Sequence, residues 1–238
     1  MLSPFNLPEG ILLLITDELS SPADFLLHRH LASHIKEAKD GKTVILSVSE
    51  DVGRWKAVAA KSNINVSQHL DSGGLIFLDV LSQVRSSLEA GQPSLRSLMD
   101  LVVPTLAPSD SPLLVILDDI SSLEWIGFSL LDITRFSRAL YAKCRKANAT
   151  LLIRHHNVTP DEPDDLFRHL LQLCTYHMEV RSLASGRSGS VSGEIALHSG
   201  LSAIPRTVKL IPRSSAIQYR LTDNGAVFFG RGTGGGVL

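Results

Sequence analysis

The chain has 238 residues, enough to bury one substantial core, and its 44% hydrophobic and 20% charged composition argues against wholesale disorder. Lys and Arg number 23 against 24 Asp and Glu, a formal net charge of −1. That balance excludes the strongly basic profile of an autonomous nucleic-acid binder, so any RNA contact must come from a local patch or be shared with partners. Cys144 and Cys174 are too few and too far apart for a disulfide framework or a metal knuckle, and they read as reduced core thiols. No apolar run reaches the length of a membrane span, and the first residues, with Pro4, Pro8 and Glu9, make a poor signal peptide. The expected location is the cytoplasm, with the nucleus as the other option.

In chain order, strand-length apolar runs alternate with segments of helical period. Residues 10–16 read as a buried strand. A helix over 22–38 follows, with Leu27, Leu31, Ile35 and Ala38 on one face. Ser21 is the expected N-cap, with Pro22 at the first helical position and Asp24 near the positive helix end. A strand over 43–49, a helix over 52–61, a strand over 75–79 and a helix over 94–103 come next. Pro104 and Pro108 then break the chain. Residues 113–117 form the strongest strand, five aliphatics that end on Asp118-Asp119. The helix over 129–147 turns Ile133, Phe136, Leu140 and Cys144 inward and leaves Arg135, Arg138, Lys143, Arg145 and Lys146 opposite. Another strand, 150–154, ends on His155-His156. This rhythm predicts an α/β fold with a mostly parallel sheet covered by helices on both faces.

After Thr175 the pattern changes to strands over 176–183, 190–198, 207–211, 217–221 and 226–230. Asn224-Gly225 marks a hairpin between the last two. The expectation is a single domain over 1–230 with an antiparallel C-terminal extension, followed by a flexible Gly-rich tail over 231–238.

In open α/β sheets ligands sit beyond the carboxyl ends of the strands, and a phosphate cradle belongs after the first one. Such a loop needs glycines, so that backbone N–H groups can converge on phosphate, a lysine, and a hydroxyl for magnesium. Here the turn reads Thr16-Asp17-Glu18-Leu19-Ser20-Ser21-Pro22-Ala23-Asp24, with no glycine and no lysine. Asp17, Glu18 and Asp24 also oppose an anion, since two like charges about 4 Å apart repel by roughly 4 kcal/mol at an effective dielectric near 20. Pro22 removes a helix-terminal donor. Asp118 and Asp119 have the outline of a Walker B strand end, whose acid orders magnesium. Without a cradle on the same chain, a turn or cap role for them is preferred and no catalytic residue is expected.

The element order, the Walker-B-like strand without a Walker A loop and the antiparallel finish resemble the RecA-like subunits of the Elongator complex. Gln218-Tyr219-Arg220-Leu221, Ala226-Val227-Phe228-Phe229-Gly230 and Val237-Leu238 are similar to the subunit 6 family, as are Phe25-Leu26-Leu27-His28 and Gly74-Leu75-Ile76-Phe77-Leu78-Asp79. The Gly-rich insertion before Val237 departs from that pattern. The resemblance implies a RecA-like fold and a heterohexameric ring with subunits 4 and 5, two copies of each. It implies further that the ring hydrolyses nucleotide, binds tRNA and attaches to the catalytic Elongator subcomplex, which modifies the wobble uridine (U34). On this reading the chain alone binds no cofactor, and ATP or ADP sits at subunit interfaces.

Smaller features are weighed against that frame. Arg206, Lys209 and Arg213 are candidates for contact with a neighbour's nucleotide; solvated edge-strand charge is the preferred alternative. Arg154, His155 and His156, with Arg181 and Arg187 in a Ser/Gly-rich loop, are candidates for loops near tRNA. His30 and His34 have the spacing of a metal pair but lack the intervening Glu and a third ligand, so no metal is expected. Two other functions stay open at this point: a degenerate RecA-like scaffold in DNA recombination, and an active ATPase with an unconventional phosphate site.

Overall fold

The computed structural model describes residues 5, 7–38, 40–107, 111–160, 162–183, 190–203, 208–223 and 225–231. Its strands are β1 (Leu12–Glu18), β2 (Lys42–Ser47), β3 (Leu75–Asp79), β4 (Leu113–Leu117), β5 (Thr150–Asn157), β6 (Tyr176–Arg181), β7 (Gly193–Ser199), β8 (Ile217–Thr222) and β9 (Gly225–Phe229). The helices are α1 (Asp24–Glu37), α2 (Val52–Ala60), α3 (Val66–Asp71), α4 (Val80–Glu89), α5 (Arg96–Val102), α6 (Ser121–Trp125), α7 (Leu130–Lys146) and α8 (Asp165–Leu173). All nine strands join one sheet in the order β3-β2-β4-β5-β1-β6-β7-β8-β9. β3 through β6 in that order run parallel, and β7, β8 and β9 are added antiparallel. The mixed α/β architecture with an antiparallel C-terminal extension is therefore the one the sequence predicts.

Strand alternation divides the core in two. Leu12, Leu14, Val115 and Leu117 face a layer built from α4, α5, α7 and α8, whose inward residues include Val84, Leu98, Phe136, Leu140 and Leu170. Leu13, Ile15, Leu114 and Ile116 face the other layer, where Leu27 and Leu31 of α1 and Trp55 of α2 are buried. Cys144 and Cys174 are free and buried, and burial pushes both thiols up to about 12. Arg135, Arg138, Lys143, Arg145 and Lys146 lie exposed on the outer side of α7. Among the described residues no helix is long and apolar enough to cross a membrane.

Four helices were not anticipated. α4 turns Val80, Val84 and Leu88 to one side and is started by the Asp79 carboxylate, which accepts the Ser82 N–H at 3.1 Å. α8 is capped in the same way by Asp164, which accepts the Phe167 N–H at 2.6 Å. α3 and α6 have only 6 and 5 residues, too short for a periodicity to emerge. Three expectations need correction. β5 does not stop at Arg154 but continues to Asn157, because β1 pairs with it through Glu18↔Asn157. The expected strand over 207–211 is, where described, a single bridge from Ile211 to Leu197. Helix α1 starts at Asp24 with Ala23 at the N-cap position, and Ser21 instead bridges back to Glu18. Asn224 of the β8–β9 turn and the tail over 232–238 lie outside the described residues.

Gly193 opens β7 where three strands converge. A Cβ there would come within 2.6 Å of the Arg181 carbonyl oxygen and 2.8 Å of the Tyr219 hydroxyl, one of them backbone and the other on a fully buried ring. Gly193→Ala is expected to cost about 1–3 kcal/mol, the usual range for overpacking. Thermal denaturation should then show a midpoint lower by roughly 2–12 °C. An unchanged midpoint would show that the β6–β7–β8 junction yields without strain.

Candidate functional site

The carboxyl ends of β1, β5 and β4 lie side by side, at the place where a parallel sheet presents its ligand site. Asp17 lies near the end of β1, and the turn that follows brings the start of α1 within reach of its carboxylate. Its carboxylate is fully buried, and Oδ2 accepts the Ala23 N–H at 2.7 Å. The anion at the positive end of this helix is thus one of the chain's own side chains.

The other carboxylate oxygen of Asp17 takes a hydrogen bond from His156 Nδ1 at 2.5 Å. The opposite ring nitrogen, Nε2, lies 3.4 Å from Asp119 Oδ2. Hydrogen bonds first to Asp119 and then to Asp17 raise the His156 pKa from 6.5 to about 9, against the pull of burial, so the ring is an imidazolium at neutral pH. Asp119 also accepts the Ser122 N–H at 3.1 Å and the Ser122 hydroxyl at 2.5 Å, which starts α6. Burial pushes the Asp119 carboxyl up, but His156 and Ser122 outweigh it and hold the group below its ordinary range. The backbone N–H of His156 donates to Ser121 Oγ at 2.9 Å, and the indole of Trp125 stacks over the imidazole at 6.0 Å and 9°. The result is a closed chain of anion, cation and anion across the strand ends.

Asp118 points elsewhere. Its carboxylate accepts the Ser47 hydroxyl and, at 2.7 Å, the Val48 N–H, while the Trp55 indole N–H donates to Ser47 Oγ at 3.2 Å. Burial raises the Asp118 pKa to about 6, with the neighbouring Asp119 adding to the shift and the Ser47 and Val48 hydrogen bonds opposing it. Only 1% of the residue is exposed, and its bonds fix the turn between β2 and α2.

The residues expected in loops near RNA are placed differently. Arg154 and His155 are strand residues, 3% and 1% exposed, because β5 extends further than its apolar run. Arg154 pairs with Asp24 at the start of α1, and His155 Nε2 lies 3.2 Å from Asp164 at the start of α8. Arg181 closes β6 and donates to Glu18 at 3.2 Å; Glu18 also accepts the Ser182 N–H and hydroxyl. Arg213 makes two bonds of 2.7 Å to the buried Glu179, which His198 also meets at 3.2 Å. Burial works to raise the Glu179 pKa, but Arg213 outweighs it and the carboxyl is lowered. Lys209 is exposed, and Arg206 and Arg187 lie outside the described residues. His30 is partly buried with its ring edge-on to Phe5, and His34 Nε2 bonds the Lys42 carbonyl at 3.1 Å. The pairs Asp17–His156 and Asp24–Arg154 were missed, although the acids had been noted. Only the β1–β5 register, which sets Asp17 opposite His156, brings the first pair together.

A family model described as Elongation complex protein 6 matches residues 1–223. The chain belongs to that family. Curated relatives include Elongator complex protein 6 of Danio rerio, 26% identical over 262 residues, covering 99% of this chain and 96% of its own length. The Xenopus laevis protein of that name is 26% identical, with 92% and 90% covered, and the Rattus norvegicus one 24% identical, with 100% and 96% covered. At such identities the family membership rests on coverage, and the site geometry on this member's own residues.

In this family member the strand-end network makes a pH prediction with a definite sign. The folded pKa of His156 lies above its unfolded value of 6.5, so its stabilisation is fully present below pH 6.5 and is lost as pH rises through about 9. The shift corresponds to roughly 3 kcal/mol. Denaturant titrations between pH 6.5 and 9.5 should therefore show falling stability. His156→Ala should cost about 3–5 kcal/mol, since it strands two buried carboxylates, and should flatten that slope. A variant as stable as the parent would mean the carboxylates find other partners.

Proposed function

We propose that the chain is a non-catalytic, RecA-like subunit of the Elongator accessory ring, supporting tRNA binding and wobble-uridine modification by the larger complex. Its partners on this reading are subunits 4 and 5, two copies of each, together with the catalytic subcomplex. Any ATP or ADP is held at a neighbour's site, with this chain contributing at most from the side.

Membership of the Elongation complex protein 6 family supports the assembly. The relatives found carry the Elongator name and favour this reading over a scaffold in recombination. The observation that carries the non-catalytic part is the Asp17 carboxylate bonded to the Ala23 N–H. A phosphate seeking that helix terminus would have to displace a buried anion already balanced by His156, and no lysine or glycine of the turn would receive it. Asp118, the residue a magnesium shell would need, spends both carboxylate oxygens on the β2–α2 turn. Arg154 and His155 are too deeply buried to act as RNA contacts, so tRNA binding is read as a property of the assembled ring.

Calorimetry on the purified chain should show no saturable ATP binding at millimolar nucleotide, and no phosphate release above buffer. Turnover that Asp118→Ala abolishes would overturn the non-catalytic reading. Affinity purification from cells should recover Elongator subunits; recovery of recombinases in their place would sink the assembly.

A further inference from the structure

Two exposed features lie at the carboxyl end of the sheet, outside the buried charges of the strand-end network. The first is an open cleft of about 640 Å³, lined among others by Glu124, Leu130, Glu162, Asp164, Asp165 and Arg168. Asp164 caps α8 and meets His155, and Asp165 pairs with Arg168 at 2.8 Å. The carboxylates of Glu124 and Glu162 make no ion pair among the described residues. Four carboxylates against one guanidinium make the cleft acidic.

The second feature is apolar. Trp125 and Leu131 are 58% and 56% exposed, and each directly follows a lining residue in the chain. Trp125 is not a loose side chain. Its ring is stacked on His156, which Asp17 and Asp119 hold from two sides, so the indole is already ordered before anything binds. Exposed, pre-ordered tryptophan is the residue type most often found at the energetic centre of protein interfaces.

Charge selects among occupants. A nucleic-acid backbone would bring phosphates against four carboxylates. A purely apolar partner would cover Glu124 and Glu162 without neutralising them, at a desolvation cost nothing repays. We propose that this face docks a Lys- or Arg-bearing segment of a partner protein, whose cations meet Glu124 and Glu162 while an apolar side chain packs on Trp125 and Leu131. The proposal rests on the reading of the chain as a subunit of a larger assembly.

The test uses the assembly recovered from cells through a tag on the full chain, with a photo-cross-linking amino acid in place of Leu131. Cross-links should join this position to a co-purifying protein, at a peptide with Lys or Arg within a few residues. Trp125→Ala and the double reversal Glu124→Lys with Glu162→Lys should each weaken binding of that protein roughly tenfold or more. The loss on charge reversal should be greater at low salt than at high. Melting temperatures are the folding control; should Trp125→Ala lower its own, the double reversal, which alters only exposed side chains, carries the test. Cross-links to RNA alone, to a second copy of this chain, or to nothing would overturn the proposal, as would full retention of the partner by folded variants. A wild-type assembly without Elongator subunits would take down the subunit reading as well; with them present and the variants still assembled, only this docking falls.

Discussion

The arrangement of the strand ends depends on one ion pair, the Asp17 carboxylate against the His156 imidazolium. A parallel sheet collects helix N-termini at its carboxyl end, and those termini attract anions whether or not the protein binds a ligand. Here the need is met internally. Asp17 satisfies the start of α1, His156 balances Asp17, and Asp119 uses the second imidazole nitrogen while starting α6. Because each group is buried or nearly so, none can be removed without leaving another uncompensated. The same network holds the Trp125 ring in place, so an internal electrostatic requirement shapes the outer surface.

The fold was legible where long-range and local signals agree. The aliphatic run at Leu113–Leu117 can only be a buried strand, and the 17 residues of α7 repeat their apolar face often enough to define it. The short helices escaped for different reasons: α3 and α6 hold too few residues for a period to emerge, whereas α4 and α8 do carry an apolar stripe and a capping aspartate, Asp79 and Asp164, and were legible in principle. Of the site, the absence of a cradle was legible in full, since it is a matter of residue types in one turn. What fills its place was not. Asp17 and His156 are 139 residues apart, and nothing in either segment marks the other as its neighbour. The polar end of β5 was hard to place for a related reason: the strand continues past Arg154 through its pairing with β1, and Asp24 and Asp164 come from other elements to meet Arg154 and His155.

The charges that remain outside are unevenly spread. The exposed basic residues of α7 lie along its outward face, with three of them in its last turn, while the acidic cleft gathers at its first turn and the start of α8. A near-neutral net charge therefore conceals two surfaces of opposite sign. Separation of this kind suits a chain with more than one neighbour, since each surface repels what the other attracts.

The interlocked strand ends also constrain how the chain can change over evolutionary time. Replacing Asp17 with the glycine a phosphate loop would want does not restore such a loop; it leaves His156 short of one of its two balancing carboxylates and opens the head of α1. Building such a loop here would take several coordinated substitutions, because each of these side chains is bonded to another. The network makes single changes at Asp17, Asp119 or His156 costly, since each leaves a buried partner uncompensated, while the exposed rim stays free to vary.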